Sequence, residues 1–185
     1  MNNAELVKLV QCYCDRYKPR FVAKIMGFGT KRPFKAAVKI AAKGEEVDRT
    51  KNRHLHWLWS RSKKRALSKA VKILTGMTTE LECCCDFQTL HELITKNVSR
   101  IKGVKKVYCY DVAMRIGACK GFLPKKVYVH ANKVRKATVA LNLEIDGDET
   151  VDLRNLPRPL RCLKAYEIED FFCVFADALS RVERQ

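Results

Sequence analysis

Lys102-Gly103-Val104-Lys105-Lys106 sets three ammonium groups around one glycine, between two stretches of helical apolar spacing. Phe87, Leu90, Ile94, Val98 and Ile101 recur every three to four residues before it, and Val107, Tyr110, Val112, Met114 and Ile116 supply apolar positions after it. The spacing predicts two helices joined by a tight basic hairpin. The first amides of a helix that follows such a turn lack intrahelical partners, so a phosphate can be received there, with the lysines adding Coulomb attraction.

A second basic run, Arg61, Lys63, Lys64, Arg65, Lys69 and Lys72, occupies the polar side of a helix predicted from His54 to Thr75. Leu55, Leu58, Trp59, Ala66, Leu67, Ala70, Val71 and Leu74 form its apolar stripe. Trp57 and Trp59, with His54 and His56 beside them, suit stacking on bases and equally suit anchoring in a core. Contacts of this kind position a protein on a nucleic-acid backbone without reading sequence.

The whole chain agrees with a polyanionic partner. Its 185 residues carry 37 Lys+Arg against 20 Asp+Glu, a formal charge of +17, and such self-repulsion is kept where a polyanion relieves it. The excess sits in two blocks: residues 1–75 hold 19 basic against 5 acidic groups (+14), and residues 96–136 hold 12 against 1 (+11). The segments 76–95 and 137–185 are each at −4. A hydrophobic fraction of 47% argues against disorder, and no apolar run reaches the length of a membrane span.

Nine cysteines raise the question of metal or disulfides. Cys12/Cys14 and Cys83/Cys84/Cys85 are spaced too tightly for zinc knuckles, and Cys109, Cys119, Cys162 and Cys173 fall in apolar helical patterns as small hydrophobes. Neither a metal nor another cofactor is expected. The odd count and the lack of a leader segment imply a reducing compartment: cytoplasmic, nucleoid-associated in a bacterium, or nuclear in a eukaryote.

Several elements must position these residues. Helices are predicted at about 4–17, ended by Pro19, at Phe21–Met26, at Phe34–Lys43 before Gly44, from Phe87 to about Arg100 with Asp86 as cap, and from the hairpin to Gly121. Others follow up to Leu141, in a short helix started by Pro157 and Pro159, and from Ala165 to Val182, where Glu167, Glu169 and Asp170 suit the helix dipole. Gly27-Phe28-Gly29 is a connector. Residues 142–155 form an acidic loop whose Asp146-Gly147-Asp148 fails calcium spacing, and a short strand at Val127–Val129 is the exception to an all-α chain. Residues 1–76 form a basic N-terminal helical region, and residues 77–185 a hairpin-containing region packed with it as one unit.

Ile101 to Cys109 resembles the helix-hairpin-helix element of DNA repair proteins, with Gly103 at the first hairpin glycine, Val104 at the hydrophobe and Cys109 at the small position where two helices pack closely. Lys105 stands at the second glycine. In the glycosylases of this superfamily a Val-Asp-x-His segment with the catalytic aspartate follows one helix later, and Val127-Tyr128-Val129-His130 is similar to it in order and spacing. The resemblance covers about residues 87–141 and implies a helical glycosylase-like domain that grips double-stranded DNA in repair or processing.

The catalytic pattern is broken. Tyr128 replaces the aspartate, and a phenol of ordinary pKa near 10 does not stabilise a cationic sugar as a carboxylate does. Val107 stands where bifunctional members carry a lysine nucleophile. Asp111, which can pair with Arg115 one turn on, together with Tyr128 and His130, is the remaining candidate for chemistry. The expected nucleic-acid contacts are Lys102, Gly103, Val104, Lys105, Lys106, Arg61, Lys63, Lys64, Arg65 and Lys69. A glycosylase or lyase with altered residues, an RNA-binding protein and a protein-interaction module are the alternatives.

Overall fold

The computed structural model describes residues 3–29, 33–44 and 61–181. In chain order its helices are α1 (Asn3–Arg16), α2 (Lys18–Met26), α3 (Phe34–Lys43), α4 (Arg61–Gly76), α5 (Thr78–Cys83), α6 (Phe87–Val98), α7 (Lys106–Lys120), α8 (Asn132–Ala140) and α9 (Ala165–Arg181). Strands β1 (Val127–Tyr128) and β2 (Thr150–Val151) are two residues each, and 3-10 turns lie at Gly27–Gly29, Leu153–Asn155 and Arg158–Cys162. The described residues are therefore mostly helical. The chain divides into two compact units, Lys24–Leu123 and a second made of Met1–Ala23 with Pro124–Gln185. This grouping crosses the 1–76 and 77–185 regions drawn from the sequence, because α1 finds its apolar partners in the C-terminal part of the chain.

In the unit built from both termini, Leu6, Val10 and Tyr13 of α1 join Val134 and Ala137 of α8 and Ile168, Phe171, Phe172 and Leu179 of α9 in one core. Tyr13 meets Phe171 edge to face at 5.6 Å, and its hydroxyl donates to Asp170 at 3.0 Å. Glu167 caps α9 by accepting the Lys164 N–H at 3.0 Å, and it pairs with Lys18 at 3.0 Å. The acidic start of α9 thus satisfies helix amides and buried partners.

Residues 142–155 correct the expectation of a plain loop. The Asp146 carboxylate accepts N–H bonds from Asp148 (3.1 Å) and Thr150 (2.7 Å) and the Thr150 hydroxyl (2.6 Å), turning the chain back on itself. That turn delivers Thr150-Val151 antiparallel to Val127-Tyr128. Two residues per strand give no alternating pattern to read in advance.

In Lys24–Leu123, α3 packs on α4 and α7, while α6 packs on α7 and α4, so the four helices close a ring. Helix α7 is the most enclosed: Tyr108, Cys109, Tyr110 and Val112 through Ala118 are all buried, matching a helix apolar round its circumference. The Tyr108 hydroxyl donates to the Ala42 carbonyl at 2.8 Å, placing the start of α7 at the end of α3. At the other end, the Lys120 ammonium donates to the Glu82 carbonyl and lies 5.7 Å from the Phe34 ring and 5.3 Å from that of Phe122. Helices α3 and α7 therefore run antiparallel. Helix α5 was not foreseen; its six residues are too few for periodicity, and burial of Leu81 holds it.

Helix α7 closes with Gly121 in the left-handed region (φ 75°) and with the Phe122 N–H on the Gly117 carbonyl at 2.7 Å. A Cβ on Gly117 would collide with the Phe122 carbonyl, whereas one on Gly76 meets open space. Gly117→Ala should lower stability by about 2 kcal/mol, roughly 4–8 °C in melting temperature, because backbone must move. Gly76→Ala should leave it unchanged or raise it. Thermal melts followed by circular dichroism compare the two; equal melting temperatures would overturn the close-packing account of Gly117.

Candidate nucleic-acid interface

The hairpin is set by caps at both ends of α6. Asp86 accepts the Thr89 N–H at 2.7 Å, which starts the helix and holds this carboxyl below its ordinary value. After Val98 the chain turns through Ile101-Lys102-Gly103-Val104, with the Val104 N–H on the Ile101 carbonyl at 2.9 Å. Gly103 has φ +99°, a conformation that an L side chain rarely adopts, so glycine is required there.

Lys105 departs from the second hairpin glycine without strain. It is extended (φ −111°, ψ 160°) and forms the N-cap of α7, its carbonyl accepting the Tyr108 N–H at 2.9 Å. Lys102, Gly103, Lys105 and Lys106 are exposed, and Val104 is half-buried. Cys109, at the small position, is fully buried, and burial pushes its thiol up. Not every cysteine follows this pattern: Cys162 is exposed.

The turn rests against α4. A Cβ on Gly103 would stand 3.5 Å from that of Ala66, which is ordinary van der Waals contact. Ala66, Ala70 and Leu74 form the buried stripe of α4, so Lys64, Arg65 and Lys69 project from its exposed side within a turn of the contact. Among the described residues Lys64, Arg65, Lys69, Lys102 and Lys105 have no acidic partner. The side chains of Arg61 and Lys63 lie outside the described residues, although both belong to α4; His54, His56, Trp57 and Trp59 lie outside them altogether.

Charge is polarised in this unit. Lys24–Leu123 contains 22 Lys+Arg against 8 Asp+Glu, a net of +14, and leaves only +3 for the other unit. Helix α6 is capped by Asp86 and ends towards Lys96 and Arg100, while Glu80 and Glu82 lie on α5, where Lys120 ends α7. The four-helix ring thus has a basic end at the hairpin and a mixed end, where Glu80, Glu82 and Asp86 are offset by Lys35 and Lys120. The start of α4, the start of α7 and the hairpin share the basic pole. Lys96 and Arg100 strengthen it, and their position at the end of α6 was the one sequence signal for them.

The three candidates for chemistry fall elsewhere. Asp111 is half-buried within Lys24–Leu123. Burial pushes its carboxyl up, and the charges of Arg115 and Lys24 draw it back down. Arg115 is only 7% exposed and stacks over Phe28 at 5.4 Å, so the Asp111–Arg115 relation is internal rather than a helix-surface pair. Tyr128 and His130 belong to the other unit. Tyr128 is buried on β1, its ring 5.4 Å from that of His130. His130 faces the Glu149 carboxylate at 3.3 Å, and Arg135 reaches the same carboxylate at 3.0 Å.

Among the described residues, no group of three or more His, Cys, Asp or Glu side chains is arranged to hold a metal ion. No described helix is long and apolar enough to cross a membrane. Compared with family models, curated proteins and solved structures, the chain matches none.

Proposed function

We propose that this protein binds double-stranded DNA through the phosphate backbone, using a helix-hairpin-helix grip of the glycosylase-like kind, in DNA repair or processing. The observation that carries the reading is the close approach of Gly103 to Ala66, which brings two basic runs separated by some 35 residues of sequence side by side. Lys102, Lys105, Lys106, Lys64, Arg65 and Lys69 supply point charges for phosphates, and the amides that open α7 supply directed donors. Such a surface selects charge and backbone shape, so binding is independent of base sequence. Asp111 is engaged with internal cations and Tyr128 is a buried phenol, which favours binding over base excision.

The test is a titration of a short random-sequence duplex against salt. Neutralising about six to eight phosphates gives a slope of log K on log salt near −5 to −7. Absence of salt-dependent retention would remove the reading, and tighter binding of structured RNA than of duplex would transfer it to RNA.

A further inference from the structure

Lysines of α3 also belong to the basic pole, on the far side of the ring from α6. Because the Tyr108 hydroxyl holds the Ala42 carbonyl at 2.8 Å, the end of α3 lies at the start of α7, beside the hairpin lysines. Lys39 is exposed, and Lys43, half-exposed, is one turn further towards the pole. The buried face of α3 is Ala37, Val38, Ala41 and Ala42, which leaves Lys39 on the opposite, solvent side. Helix α3 packs on α4 and on α7, so its cations are set off from those of the hairpin by one helix spacing, about 8–10 Å between axes.

We infer that the pole spans both strands of a duplex, the hairpin and α4 holding one phosphate backbone and Lys39 with Lys43 of α3 holding the other. This inference rests on the proposed binding of double-stranded DNA and assigns its two backbones to different helices. A minor groove is about 6 Å wide, so cations separated by one helix spacing reach the phosphates on its two sides, whereas a single strand has only one backbone to offer. The opposite end, where Glu80, Glu82 and Asp86 offset Lys35 and Lys120, attracts the polyanion less, so the ring presents its basic end to the DNA.

The experiment measures salt-dependent binding of the full chain to a 20-base-pair duplex and to one of its single strands. Three variants are compared with wild type: Lys39→Glu, Lys39→Glu/Lys43→Ala, and Lys102→Glu/Lys105→Glu/Lys106→Glu. The α3 variants should weaken duplex binding, lower the duplex slope by about 1 for each cation removed, and leave single-strand affinity within twofold. The hairpin variant should weaken both. Lys39→Glu alone alters one exposed side chain and keeps the test valid if the double variant misfolds. If the α3 variants match wild type on the duplex while the hairpin variant is impaired, the two-strand inference fails and the DNA reading stands. An equal loss on duplex and single strand also overturns it. If wild type shows no salt-dependent binding to either probe, both fail together.

Discussion

Lys102→Glu/Lys105→Glu/Lys106→Glu should lower duplex affinity about 100-fold at 0.15 M salt and reduce the salt slope by about 3. Each phosphate contact releases close to 0.9 of a counterion, and three lost contacts at that ionic strength amount to about two decades in the binding constant. Charge reversal adds repulsion, so this is a lower bound. The lysines are exposed and the turn itself depends on Gly103, so the fold should survive; melting temperature serves as the control. Unchanged binding by a folded triple variant would remove the hairpin from the interface. Reversal of three α8 or α9 surface cations in the other unit should have much less effect, because that unit carries a net of only +3.

Asp111→Ala should shift stability by no more than about 1 kcal/mol, roughly 2–4 °C in melting temperature, while leaving DNA affinity of the folded protein unchanged. Burial opposes the ionised carboxylate more than Arg115 and Lys24 favour it, so removing the charge takes away little net support. Asp111 also has a distinctive pH dependence. Its folded-state pKa is raised, so the folded chain holds this proton more tightly than the unfolded chain, and its contribution to stability falls as pH rises from the ordinary carboxylate value through the raised one. Asp111→Asn should abolish that component in melts taken between pH 3 and 7. A variant that melts like wild type and instead loses strand cleavage or abasic-site formation on a lesion-bearing duplex would make Asp111 a catalytic residue.

The hairpin was legible because its signals are local. Apolar residues at three- to four-residue spacing, one glycine and flanking lysines define two helices and a turn within some 30 residues, and the caps at Asp86, Gly44 and Gly121 lie where short-range rules put them. What escaped was too short or too distant. Helix α5 and strand β2 span six and two residues, and β2 exists because the Asp146 carboxylate folds its turn. The pairing of Asp111 with Arg115 is legible from i, i+4 spacing, but not the approach of α2 and the Gly27–Gly29 turn, which bring Lys24 and Phe28 to that side of α7.

The sequence by itself determined helical content, the glycine turn between two helices and the basic character, since each follows from residue type and near-neighbour spacing. Tertiary structure alone decided which charges share a surface. Net charge of +17 is a sum with no direction, and it became a pole only when Ala66 met Gly103 and Tyr108 reached Ala42, contacts across 37 and 66 residues of chain. Gly103 and Ala66 are small enough, and the Tyr108 hydroxyl long enough in reach, to bring the helices together, and that approach carries the lysines of α3, α4 and the hairpin to the same end of the ring.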